Sequence, residues 1–467
     1  MKIIFNVKII LQPFLLAFCF IIGLSSPILH GQERADLLSL YEEALRNDSL
    51  LSSARFQNEA TRELIKQGKS LFLPSISMSA SFDKQDKERK FLTSSLPSND
   101  LLSGKKTNYD SYDYGVTVKQ PLFNYSAYAQ YKKILTQINL SDKQLIKTQQ
   151  DLIFRISKAY FETLLAKDQV DLFQYQRASI KEQLLKAEAQ FEAGLISITD
   201  INEAKTKIAL IKAQQISAIQ KLKIKKREIQ VVTGKLPGKL TPLNPIITFT
   251  KMDNLADDWI LIAQENNLEL QIKKDEIKIA SREIDARRSD HYPTVDAIAS
   301  RSRNWDKGGY PYGATENEGV RSYSDAIGIE ISIPIFSGGM TSSRVTEAVL
   351  LKSKLEQDVE YLRRGVELKV RDYYLSLQTN FSEISAYQQA MKAATLQLES
   401  TKLGFQEGLR NSVEVLDSQQ ILFNAKLNIL ESRYNYIMNY INLKLSVGML
   451  SIEDLNEINQ YLMVNQE

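Results

Sequence analysis

The chain has 467 residues, of which 43% are hydrophobic and 25% charged, too apolar a mixture for a disordered protein. Its formal net charge of +3 carries no basic excess that would point to nucleic acid. Cys19 is the only cysteine and His30 and His291 the only histidines, so if the first thirty or so residues are removed no thiol and one imidazole remain, and thiol catalysis, disulfide frameworks, Cys/His zinc sites and a serine triad with a second histidine lack their residues. Neither an enzyme nor a cofactor is expected. At about 100–200 residues per domain the length suggests two to four globular units, unless long helices spread fewer units over more chain.

Lys2 and Lys8 precede an apolar stretch at residues 9–22, and small and polar residues then lead to Gly31 and Gln32. This is the pattern of a secretory signal peptide over residues 1–31, with the mature chain starting near Gln32. Lipid attachment at Cys19 fits less well, because Phe18 stands where a small residue is wanted. No later run reaches about 18 apolar residues, so no transmembrane helix is expected.

A first helix leads to Pro74, after which Ile76, Met78, Ala80 and Phe82 alternate with Ser75, Ser77, Ser79 and Ser81. A polar connection at 83–111 precedes a partner strand, where Tyr112, Tyr114, Val116 and Val118 alternate with Asp113, Gly115, Thr117 and Lys119. Residues 127–193 contain no proline and, at 1.5 Å per residue, predict a helix of about 100 Å. It carries adjoining seven-residue rows, Ile138, Leu145, Leu152 and Ala159 beside Ile146, Ile153 and Tyr160, and so needs helical neighbours on both sides. Gly194 ends it in the position of a left-handed cap, and Ser197 with Asp200 opens the next helix at capping-box spacing. In that returning helix Ile201, Ala204, Ile208, Ile211, Ala218, Leu222 and Ile229 keep steps of three and four or their multiples.

A proline-bearing connector at 236–245 predicts a small irregular layer, and the same plan then returns. Phe191-Glu-Ala-Gly-Leu195 is echoed by Phe405-Gln-Glu-Gly-Leu409 at an offset of 214 residues, with Tyr160 and Tyr374, and Gly234 and Gly448, at the same offset. The second half offers a weak strand at 295–300, a polar connection at 304–322, and a strong strand where Ile327, Ile329, Ile331 and Ile333 alternate with Ala326, Gly328, Glu330 and Ser332. A second proline-free helix spans 340–407, and Gly408, Asn411 and Glu414 repeat the turn and capping spacing. Leu416, Phe423, Leu427, Leu430, Tyr434, Ile437 and Ile441 form its partner's seam. The expected organisation is a first repeat at 32–234, a connector at 235–254, a second repeat at 255–448 and a C-terminal tail at 449–467.

All four strands are expected near ten residues, enough to cross a bilayer at a tilt, and tyrosines and Trp305 sit near strand ends as an aromatic girdle requires. A soluble sheet packed on the helices is the alternative. Four strands cannot close, and an open edge in lipid leaves backbone groups unsatisfied, so copies must share a barrel. Two copies would fill the interior, whereas three would give about twelve strands and a lumen. The fold class is mainly α with β, long antiparallel coiled-coil helices plus a transmembrane β-barrel shared between copies.

The paired strands "YDYGVTVKQPLFN" and "AIGIEISIPIFSGG" and the turns "FEAGLISITDINEAK" and "FQEGLRNSVEVLDSQQILFNAK", duplicated in order, resemble the TolC-type outer-membrane channel family over essentially the whole mature chain. The resemblance implies a homotrimer with a barrel of about twelve strands in outer-membrane lipid and a helical periplasmic tunnel closed at its far end. It implies docking to a periplasmic adaptor (membrane fusion) protein and an inner-membrane transporter of RND, ABC or MFS type, for tripartite efflux or type I secretion in a Gram-negative cell. Glu414 and Asp417, one helical turn apart, correspond to the family's acidic constriction, with Glu414 in place of the commoner aspartate. As simple residues they would serve a helix N-terminus and a solvated face. Asp200 is the repeat-equivalent gate candidate, but Glu203 follows where Asp417 stands. Arg410 matches a family latch residue, and Phe405 stands where tyrosine is common, so one latch hydrogen bond is missing. Gly194, Leu195, Gly408 and Leu409 match the tips that meet the adaptor, though a helix stop and a buried leucine would serve without a partner.

Gly308-Gly309 and Gly338-Gly339 lack the lysine of a phosphate loop, His291 fits strand entry before Pro293, and the basic run at 221–227 fits a solvated helix face. A periplasmic coiled coil without a pore and a stand-alone porin or adhesin remain alternatives to the duct.

Overall fold

The structure is a computed structural model describing residues 35–88, 106–194, 196–245, 247, 249, 252, 255–308 and 319–463. The expected signal peptide at 1–31, the start near Gln32, Leu195, the middles of both polar connections, part of the connector and the last four residues lie outside these residues.

The first half runs through α1 (Leu37–Asn47), α2 (Ser49–Ser70), β1 (Ser75–Glu88), β2 (Lys106–Phe123), α3 (Tyr125–Glu192) and α4 (Ile198–Thr233). The second repeats the order with α5 (Ala256–Asn266), α6 (Leu268–Arg288), β3 (Thr294–Lys307), β4 (Val320–Ser332), α7 (Met340–Gln406) and α8 (Ser412–Ser446), and α9 (Ile452–Asn459) follows. α3 and α7 are unbroken over 68 and 67 residues, and α4 and α8 return over 36 and 35. Where one helix was expected ahead of each strand pair there are two. Asp48 and Asn267 leave the helical conformation and turn their side chains onto the Leu51 and Leu270 N–H groups, at 2.7 and 2.9 Å. A short polar side chain at an N-cap satisfies a donor that a continuous helix would have bonded within itself.

The strands form one antiparallel sheet in the order β1-β2-β3-β4, so β1 and β4 are its outer edges. Ile76 lies opposite Val118, Val118 opposite Ala299, and Ala299 opposite Ile327. At 14, 18, 14 and 13 residues the strands exceed the expected ten and extend into the polar connections, Lys84 pairing with Asp110 and Asp306 with Ser111. The ladder bonds are made by backbone, so pairing continues where side chains turn from apolar to charged. β3, weak in sequence, is a full strand because β2 and β4 pair with it on both sides. Ile327 and Ile329 are 91% and 67% exposed on the single chain, on an apolar sheet surface that the described residues leave uncovered. No helix among the described residues is long and apolar enough to cross a membrane.

The main core lies where the helical layers meet the connector, around Tyr160, Phe161, Leu164, Ile229, Ile441 and Leu455. Leu240 bridges to Ala35, Leu243 bridges to Leu462, and the Tyr160 hydroxyl donates to the Thr241 carbonyl at 2.7 Å. Apart from these bridges the described connector residues form neither helix nor strand, and the C-terminal segment expected as a tail adds α9, whose Leu455 and Ile458 are buried. A second, small core of Ile180, Ala204, Ile211 and Leu416 joins the α3–α4 hairpin to α8 nearer the hairpin tips.

Candidate functional site

The predicted site residues gather at the ends of the two helical hairpins. Gly194 (φ +74°) and Gly408 (φ +73°) both take the left-handed conformation that stops the long helices. In the first hairpin the Thr199 N–H donates to the Ser197 hydroxyl at 3.2 Å, and the Ser197 N–H donates to Asp200 at 3.3 Å, which completes the capping box. Asp200 is therefore engaged in its own helix start.

The second hairpin keeps that spacing but bonds differently. Asn411 accepts the Glu414 N–H at 2.8 Å, but the Glu414 carboxylate accepts instead from Arg410 Nη1 at 2.7 Å. An arginine one turn away outcompetes the neutral Asn411 N–H for a carboxylate, because both partners are charged. Arg410 also lies across Gly404, its Cγ only 2.8 Å from where a β-carbon there would sit. Asp417 faces α4, where Lys207 Nζ approaches it at 2.6 Å and Glu203 at 3.3 Å. Both acids expected at the constriction thus have a cation beside them. Lys207 was not singled out in the sequence; its only signal is the four-residue spacing from Glu203.

Leu409 is 81% exposed at its hairpin tip, and Gly194 and Gly408 are exposed at theirs, while Leu195 lies outside the described residues. Phe405 is half-buried, bordering a cleft between α3 and α7 with Gln183, Lys186, Gln190 and Lys402. At the tips and further along, α3 and α8 meet through polar groups. Gln183 donates to Ser412 at 3.4 Å, Gln176 to Gln420 at 2.9 Å and Gln169 to Glu431 at 3.0 Å, a seven-residue row in α3. Beside it the Tyr434 hydroxyl donates to Asp168 at 2.7 Å. Burial raises the Asp168 carboxyl above the usual carboxylate range and pushes the Tyr434 phenol up as well. Among the described residues no group of three or more His, Cys, Asp or Glu side chains is placed to hold a metal ion.

A family model described as outer membrane efflux protein matches residues 40–235 and 259–449. The outer membrane protein TolC of Vibrio cholerae serotype O1 is 29% identical over 92% of this chain and 94% of its own length. The proteases secretion protein PrtF of Dickeya chrysanthemi is 25% identical over 90% of each chain. Among solved structures, the outer membrane protein VceC of Vibrio cholerae superposes with a TM-score of 0.72 at 16% identity, over 88% of this chain and 96% of that one.

Proposed function

The chain belongs to the outer membrane efflux protein family, and from that membership we propose that three copies share one β-barrel and one helical tunnel, closed at the hairpin tips until partner proteins engage them. The protein is an outer-membrane exit duct of efflux or secretion systems, with its strands in the outer membrane and its helices in the periplasm. The number three follows from the family, and the sharing of the barrel between copies is carried by one observation. The sheet has four strands and two free edges, and its outermost apolar rows are exposed on the single chain. Unpaired edge groups in lipid cost several kcal/mol each, so β1 of one copy must pair with β4 of the next. Cysteine pairs placed between β1 and β4 should give a three-chain ladder on oxidation in membranes; a ladder that stops at two chains, or no ladder, would rule the trimer out.

The gate reading assigns Glu414 and Asp417 to stacked carboxylate rings at the constriction, with Asp200 as a weaker contributor because its carboxylate serves its own helix cap. Arg410, and the phenyl ring of Phe405, are the latch in this reading. Movement between hairpins is supported by the polar α3–α8 row, whose hydrogen bonds exchange for water at far less cost than an apolar seam. With Glu414→Gln and Asp417→Asn together, single-channel recordings should show a changed conductance and a weaker cation preference. Recordings identical to the unsubstituted protein would exclude the rings. Gly194, Leu195, Gly408 and Leu409 are the proposed contacts for a periplasmic adaptor, which in turn joins an inner-membrane transporter; crosslinking probes at the two leucines should capture the adaptor. We further propose the division into repeats at 32–234 and 255–448 about a connector at 235–254, with transport by passive conduction and no catalytic step.

A further inference from the structure

The apolar outward rows of the sheet are interrupted on β3 and β4. Residues directly paired across strands lie on one face, and every second pair along the strands shares that face. The row Ile76, Val118, Ala299, Ile327 therefore shares its face with Met78, Val116, Arg301, Asp325, then with Ala80, Tyr114, Arg303, Tyr323, and then with Phe82, Tyr112, Trp305, Arg321. The last row, nearest the outer ends of the strands, is an aromatic band: Phe82 packs on Tyr112 at 4.9 Å and Tyr112 on Trp305 at 5.4 Å. Such a band marks the boundary between hydrocarbon and headgroups.

Three arginines on a lipid-facing surface need a reason, because each costs about 2–4 kcal/mol at mid-membrane and less near the boundary. Arg301, the deepest, has one, since Asp325 lies 3.2 Å away and balances its charge. Arg303 and Arg321 do not. Arg303 lies over the Tyr323 ring at 5.1 Å and Arg321 over the Trp305 ring at 5.0 Å, and neither meets a carboxylate among the described residues. Stacking fixes the guanidinium planes and leaves their N–H groups free to donate. Diagonal neighbours across two strands stand about 7–8 Å apart, within reach of a single phosphate between two guanidinium groups. Below them, Val116, Val118, Ala299 and Ile327 border a shallow depression with Arg301 and Asp325 at its rim. The small Ala299 side chain, between Val118 and Ile327 on the neighbouring strands, leaves that depression as a short furrow over β3 that ends at Arg301.

We propose that Arg303 and Arg321 bind the phosphate of an anionic lipid in the outer leaflet, one acyl chain of which lies in the furrow over Ala299. The site rests on the barrel reading and needs only one chain. Binding measured per chain therefore survives if the trimer reading fails.

The test is native mass spectrometry of the full-length protein in uncharged detergent, titrated with phosphatidic acid or phosphatidylcholine. The unsubstituted protein should hold phosphatidic acid about tenfold more tightly, a difference of about 1.4 kcal/mol. Arg303→Gln with Arg321→Gln should abolish that preference while the circular-dichroism melt stays unchanged. Ala299→Leu, which fills the furrow but keeps both charges, should weaken both lipids alike. If the double Gln variant does not insert, Arg303→Lys with Arg321→Lys keeps the charge and should lose part of the preference, because ammonium groups lack the fork. The proposal is overturned if both lipids bind equally to the unsubstituted protein, if either double variant keeps the full preference, or if excess inorganic phosphate displaces phosphatidic acid.

Discussion

Asp48 serves two structures at once. It caps α2 and also accepts a two-pronged contact from Arg155 on α3, at 2.8 and 2.9 Å, while its side chain is 3% exposed. Burial works against its carboxylate, but the Arg155 guanidinium and the Leu51 N–H outweigh that and hold the carboxyl below its ordinary value. A depressed carboxyl stabilises the fold above its unfolded-state value, and that contribution is lost as pH falls below about 4. Asp48→Ala should cost about 3 kcal/mol in chemical denaturation at neutral pH, because it strands a partly buried arginine, and should flatten the dependence below about pH 4. At the tip, the Lys207–Asp417 pair is more exposed, with Asp417 at 62%, and contributes no more than about 0.5 kcal/mol to stability. In the proposed gate its effect is on conduction. Lys207→Met should leave thermal unfolding nearly unchanged and shift the reversal potential toward a stronger cation preference; an unchanged potential would remove Asp417 from the pore.

The turns and helix ends were legible because their chemistry is local. Ser197, Asp200, Gly194 and Gly408 behave as their spacing predicts, whereas Glu414 does not complete its box because Arg410 lies one turn away. Two glycines with the same backbone conformation separate local from tertiary effects. Gly408 has φ +73° with open space where a β-carbon would point, so Gly408→Ala should cost about 1 kcal/mol, from backbone strain alone. Gly448 has φ +75°, and its β-carbon would sit 2.2 Å from the Asn266 carbonyl oxygen, where α8 ends against the α5–α6 junction. Gly448→Ala should therefore cost at least about 3 kcal/mol. Equal losses in parallel urea titrations would refute the contrast. The polar row on α3, Gln169, Gln176 and Gln183, was present in the sequence at heptad spacing, but glutamines on a long helix also suit solvent, and only packing against α8 distinguishes the two.

Across the whole molecule the two halves meet through β2 and β3, through α3 against α6 and α8, and in the core beside the described connector residues and α9. Leu455 is fully buried there, and Lys444 anchors the start of α9 through Asp454 at 3.0 Å. Leu455→Ala should lower stability by about 3 kcal/mol in thermal unfolding yet leave the conductance of inserted channels unchanged, since Leu455 packs in the core and is not among the residues of the proposed constriction. The amino-acid sequence by itself determined the duplication, the alternating strands, the two very long helices and their stops, because periodicity, proline placement and capping act within a few residues. Only the tertiary structure decided which charges meet. Lys207 and Asp417 are far apart in sequence, as are Asp48 and Arg155, and Arg301 and Asp325 come together only through strand register. A salt bridge depends on where two helices or strands place their side chains, and no local pattern records that position.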